Sequence, residues 1–311
     1  MEEKIQYGLK RLVIASSTFL PISVETYQEI AKAKMVLREA LYLEQKFDFI
    51  VENYIEFEEA LLKSSFRDMV LGGQNHQWFQ VTRATFDRRI MNFLTTAIAY
   101  TDSAKQHLNN IFLRDKSKVE SAVASFSTEY DARIGYRTMC KLRNFVQHQG
   151  LPVHGTTYHS QWIEQDTQKK GLNRNTVDPY LRPDELRTGD FNKTVLKELE
   201  ALGEKIDLKF LIRDYLEGLS KAHTTVRQSI SGHINFSNQV LEDSIKNFQA
   251  TFPSEGSIIG LAAVKCVDNK FYENDLAILR EPNEYRAYLE TKNPLTANLT
   301  RRYVSSEVIQ K

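Results

Sequence analysis

The chain has 311 residues, of which 41% are hydrophobic and 26% charged; that is enough apolar material for a buried core and excludes wholesale disorder. Lys plus Arg number 41 against 40 Asp plus Glu, a formal net charge of +1, which excludes coating of nucleic acid by bulk charge and leaves room for a local basic site. With 13 Gly and 7 Pro the chain is too poor in turn formers for an all-β sandwich, so a mainly helical protein is expected.

The start, Met1-Glu2-Glu3-Lys4, has no basic segment leading into an apolar one, and no secretory leader is expected. From about Val24 to Val70 there is neither Pro nor Gly. Met35, Leu37, Leu41, Phe47, Ile50, Tyr54, Phe57, Leu61 and Leu62 recur mostly every three or four residues, which predicts one long helix or two joined in line. Gly72-Gly73 and Asn75 end it. A second helical stretch is expected from about Trp78 to Leu113, with Arg83, Arg88 and Arg89 near its start. A third runs from about Lys118 to His148, with an interruption near Ser127-Thr128 and a stop at Gly150 and Pro152.

Between Val153 and Asp190 the hydrophobic period disappears, and the reading is a long loop, a kind of segment that is often functional. A fourth helical region spans about Asn192 to Ala250, expected to break at Gly203 and Gly218. The run from Ser257 to Val267 fits a strand or a short helix, and Asp268-Asn269-Lys270 fits a turn. Three parts are therefore expected: an N-terminal helical segment over 1–75, a helical bundle over 76–253, and a small C-terminal appendage over 254–311 with some β-structure. No apolar run reaches membrane-spanning length. The two cysteines, Cys140 and Cys266, build no disulfide framework. These features together lead to an expected cytoplasmic location.

The chemistry concentrates in the string from Cys140 to His154. Arg143 and His148 stand with four residues between them, Asn144 follows the arginine, and the helix stops directly afterwards. Five residues turn a helix by about 500°, so a regular helix leaves Arg143 and His148 roughly 140° apart. They converge on one ligand only if His148 sits on a frayed last turn. The residues also allow a purely structural account. An arginine near a helix C-terminus is favoured by the macrodipole, and a histidine there caps free carbonyls.

The Arg143-Asn-Phe-Val-Gln-His148 run resembles the Arg-x(4–6)-His signature of HEPN domains, helical bundles of RNA-cleaving toxins, antiviral nucleases and CRISPR-associated effectors. Asn144 matches the commonest form of that signature. The resemblance implies an antiparallel helical bundle and a metal-independent endoribonuclease that leaves 2′,3′-cyclic phosphate ends. It casts His148 as general acid or base, Arg143 as the group that holds the phosphate, and Asn144 as the residue that orients one of them. It further implies a homodimer in which two motif copies face each other, an RNA substrate, no cofactor, and a role in toxin–antitoxin or antiphage defence with an antitoxin or regulatory partner.

Around this motif, Arg137, Lys141, Arg89 and His154 are candidate substrate-binding residues, and Arg83, Arg88 and Arg133 would extend a basic rim. Tyr158, Trp162, Lys169, Lys170 and Arg174 would clamp an unpaired base, or belong to a plain loop. A rival zinc site drawn from His148, His154, His159, Glu164 and Asp166 lacks any helix-based ligand spacing. His76, His107, His223 and His233 are scattered and read as surface or satisfied core histidines. The competing function is a non-catalytic helical module that binds a protein or nucleotide partner through the same cleft.

Overall fold

The structure is a computed structural model that describes residues 5–13, 17–72, 75–162, 172–187, 191–268, 270–272, 277–278 and 280–305. In chain order its elements are β1 (Ile5–Arg11), β2 (Phe19–Ile22), α1 (Val24–Leu71), α2 (His76–Ile111), α3 (Lys116–Ala132), α4 (Ile134–His148), β3 (Gly155–Trp162) and β4 (Asn173–Leu181). They continue with α5 (Pro183–Leu186), α6 (Lys193–Leu202), β5 (Ile206–Asp207), α7 (Leu208–Thr251), β6 (Leu261–Val267), β7 (Lys270–Tyr272) and α8 (Glu281–Lys292). Helix accounts for 69%, so the mainly helical expectation holds, with two small sheets added to it. Among the described residues no helix is long and apolar enough to cross a membrane.

The chain divides into two compact units, neither continuous in sequence. The first gathers residues 1–45, 103–123 and 226–292. Its sheet has the order β2-β1-β6-β7, antiparallel throughout, with Leu9 opposite Ala263 and Ile5 opposite Val267. Leu261 to Val264 are all buried, as expected of a strand covered on both faces. The helical part of this unit buries Ile30, Ala33, Leu37 and Ala40 of α1, Leu108 and Ile111 of α2, and Ile234, Leu241 and Phe248 of α7. Within this core Arg227 meets Glu44 in a two-pronged pair at 2.8 and 2.6 Å, the arrangement that lets a charge be buried.

The second unit gathers residues 46–102, 124–225 and 293–311. Phe47, Ile50 and Phe57 of α1, Phe86, Ile90, Phe93 and Tyr100 of α2, Met139 and Leu142 of α4, and Leu211, Tyr215 and Leu219 of α7 are buried in it. Its sheet has the order β3-β4-β5. The tail after α8 belongs here: Asn293 donates to Asp48 at 2.8 Å, Thr296 N–H to Ser220 Oγ at 2.9 Å, and Arg213 to the Arg302 carbonyl at 3.0 Å.

Several boundaries differ from the sequence reading. β1 pairs with β6 far along the chain, and the region after 254 is shared between the two compact units. The interruption of the third stretch falls at Arg133, which is extended (φ −128°, ψ 123°), and not at Ser127-Thr128. Helix α6 stops at Gly203, whose φ of 125° suits glycine. Gly218, by contrast, lies inside an unbroken α7. A Cβ there would come within 2.8 Å of the Tyr136 ring and 2.9 Å of Arg133, so this glycine serves close packing. The region expected as a loop over 153–190 contains the β3–β4 hairpin, paired from Gly155–Tyr180 to Trp162–Asn173. Only Val177, Pro179 and Leu181 of β4 alternate inward, and β3 is too polar for its period to show.

Candidate functional site

The site is built around α4, and both ends of that helix are fixed by particular residues. At its start no side chain caps the helix from the N-cap position. Instead, Asp214 of α7 accepts from Gly135 N–H at 2.8 Å and from Arg133 Nη1 at 2.8 Å. Arg133 also donates from Nε to Glu129 at 2.8 Å and from Nη1 to Glu217 at 3.3 Å. Gly135 is needed here, since a Cβ would meet the Leu211 carbonyl oxygen at 2.5 Å. Tyr136, Met139, Leu142 and Phe145, three residues apart, form the buried face.

At the other end the helix stays regular through His148. Gln149 and Gly150 N–H groups both donate to the Phe145 carbonyl, at 2.8 and 3.3 Å. The following chain is anchored where Val153 N–H donates to Asp87 Oδ1 at 2.9 Å. Burial raises the Asp87 carboxyl above its ordinary range, against the pull of that hydrogen bond and of Arg83.

A groove of about 600 Å³ opens beside this end. Lys141, Asn144, Phe145, His148 and Gln149 come from α4 and its last turn; Phe191, Asn192, Lys193 and Thr194 come from the start of α6. Phe145 and Phe191, 7% and 6% exposed, meet at a ring distance of 6.3 Å and form the floor. The two helices are further joined by Arg137 Nε to Glu198 at 3.0 Å. Lys141, Asn144 and His148 share one face by their spacing of three and four residues, and both Asn144 and His148 are exposed. The described lining carries two lysines and no carboxylate.

Arg143 lies off this face. It is half-buried and absent from the groove lining, and its Nη1 donates to Asn144 Oδ1 at 3.1 Å. Since α4 does not fray, the roughly 140° separation of Arg143 from His148 persists within one chain. The structure thus brings His148, Asn144 and Lys141 together and leaves Arg143 joined to them through Asn144.

The other candidates have partners of their own. Arg137 also donates to the Tyr130 carbonyl at 3.0 Å and to that of Asp131, closing the end of α3. Arg89 pairs with Glu56. His154 Nδ1 lies 2.9 Å from the Arg182 backbone N–H and 3.1 Å from the Arg182 carbonyl oxygen, and burial lowers the pKa of the ring. Burial pushes the Cys140 thiol up to about 11, so it remains protonated at neutral pH. Its Sγ donates to Tyr215 Oη at 3.9 Å. His107 meets Glu39, and His223 meets Tyr100, each at 2.7 Å. Among the described residues no three His, Cys, Asp or Glu side chains converge as a metal requires. Glu164, Asp166, Lys169 and Lys170 lie outside the described residues.

Lys193 and Thr194 escaped the sequence reading because nothing there joins α6 to α4. The one available signal was Asn192, a favoured N-cap residue, which accepts from Thr194 and Val195 N–H at 3.1 Å each. Comparison with known protein families, curated proteins and solved structures returns no match.

Proposed function

We propose that the groove beside the end of α4 is the active site of a HEPN-like, metal-independent endoribonuclease acting as a homodimer. The observation that carries this reading is the exposure of His148 and Asn144 on one face of α4, in a cationic groove without a described carboxylate. In the reaction the substrate's 2′-hydroxyl loses its proton and attacks the neighbouring phosphorus. The bond from phosphorus to the 5′-oxygen breaks, and that oxygen takes up a proton. The exposed imidazole of His148 can take up one of these protons and supply the other. Arg143 stabilises negative charge on the phosphate oxygens. Because a regular α4 aims Arg143 away from His148, a second copy of the chain completes the site by setting its own motif opposite. A role in toxin–antitoxin or antiphage defence accords with such an activity.

The test is cleavage of single-stranded RNA by wild type and His148→Ala in excess chelator, with product ends analysed. Cyclic-phosphate ends that disappear in the variant are expected; cleavage unchanged in His148→Ala overturns the reading. The angular separation of Arg143 and His148 favours a second reading, a non-catalytic module that binds its partner in the same groove. Absence of cleavage together with a defined dimer or partner complex would be its signature.

A further inference from the structure

The second wall of the groove assigns a residue that the motif does not contain. Resting on the ribonuclease reading, we infer that Lys193, with Lys141 across the groove, holds a backbone phosphate of single-stranded RNA next to the scissile bond, where His148 moves the protons. Lys193 is thus a positioning residue of the site.

Three observations carry this. First, the cations differ in their engagement. Arg89, Arg133, Arg137, Arg182 and Arg187 are each tied to a carboxylate. Neither groove lysine has a carboxylate partner among the described residues, and the ammonium of Lys141 has only the Tyr130 ring, at 5.8 Å. Two lysines that line one groove with no described carboxylate among its walls attract an anion. Second, these side chains and not the start of α6 supply the formal positive charge of the groove. Asn192 Oδ1 already takes the Thr194 and Val195 N–H groups, two of the four donors a helix start would otherwise offer.

Third, size and chemistry select the polymer's form. A groove of about 600 Å³ takes a nucleotide-sized group and excludes a duplex. Its aromatic floor is buried, so no ring face is left for stacking, while the amides of Asn144 and Gln149 on the rim offer donors and acceptors to a base edge. In-line attack by a 2′-hydroxyl also needs an unpaired linkage free to align.

The experiment uses the full chain and a labelled RNA oligomer with 2′-O-methyl groups, which binds but lacks the attacking hydroxyl. Its affinity is followed by fluorescence anisotropy over a range of salt. Lys193→Ala is expected to weaken binding about tenfold and to reduce the log–log salt slope by about 0.7, the share of one single-strand phosphate contact. Lys193→Arg restores both. On cleavable RNA, Lys193→Ala raises KM more than it lowers kcat, whereas His148→Ala abolishes turnover with binding retained.

Unchanged affinity and slope in Lys193→Ala overturn the inference, and leave the ribonuclease reading intact if wild type still cleaves through His148. Lys193-dependent binding without His148-dependent cleavage overturns the ribonuclease reading and retains the phosphate site. Equal binding of a duplex of the same sequence overturns the single-strand assignment, and absence of any binding by wild type overturns the whole.

Discussion

The two ends of α4 place similar residues in opposite circumstances. At the start, Arg133 donates to three carboxylates and Asp214 also ties down the backbone of Gly135. At the finish, Asn144, His148 and Gln149 are exposed, and Lys141 has no carboxylate partner among the described residues. One end is held by charge pairing, and the other leaves its polar side chains exposed beside the groove. An arginine near a motif is therefore informative only once its partners are known. Arg137, six residues before Arg143, is committed to Glu198 and to the end of α3.

This contrast can be broken by substitution at either end. The largest effect belongs to His148→Ala, expected to lower the cleavage rate about 10³-fold, as loss of a general acid–base does. Because His148 is exposed, its replacement leaves the unfolding free energy from urea denaturation within about 0.5 kcal/mol of wild type. Arg133→Ala reverses the pattern: removing the cation from among Glu129, Asp214 and Glu217 is expected to cost about 3 kcal/mol in urea denaturation, with kcat per folded molecule little changed. Gly135→Ala costs about 2 kcal/mol by the same measurement, since its new methyl group must displace the Leu211 carbonyl.

The smallest effect is a pH dependence beyond the helix end. Burial holds the pKa of His154 below its ordinary value of about 6.5. The unfolded chain therefore binds more protons than the folded one just below that pH. Stability from this group is complete above about pH 6.5 and is lost as the pH falls from there through the folded pKa. In His154→Gln this part of the slope of stability against pH should vanish; an identical slope would mean that other groups carry it.

Much of the helical framework was legible because long runs of apolar residues at spacings of three and four have few alternative readings. The strands were harder for a physical reason. Ile5–Arg11 has a glycine at its centre, and its pairing partner, Leu261–Val267, lies some 250 residues away, so no local window contains both. β3 fits neither period because its residues are polar on both faces. Gly218 was misread as a break since composition does not distinguish a glycine that ends a helix from one that admits a neighbouring ring.

At the site, the face shared by Lys141, Asn144 and His148 could be read from their spacing. The separation of Arg143 from that face could be calculated from the helical repeat. What decides the role of Arg89 and Arg137, however, is Glu56 and Glu198, each tens of residues away. The same limitation hid Lys193, which enters the groove only because the Phe145–Phe191 contact and the Arg137–Glu198 pair set α6 beside α4.

The pairing of β1 with β6 also imposes an order of events during synthesis. Once β1 has left the ribosome, its hydrogen-bonding edge toward β6 stays open until Leu261 to Val267, some 250 residues later, have been made. At roughly 5–20 residues per second, that interval is on the order of 10–50 s. Through that time the nascent chain carries the β1–β2 hairpin with one open edge, a template for any other extended strand it meets. The first unit can close only after β6 has been made, whereas the residues that line the groove, between 141 and 194, precede it in the chain.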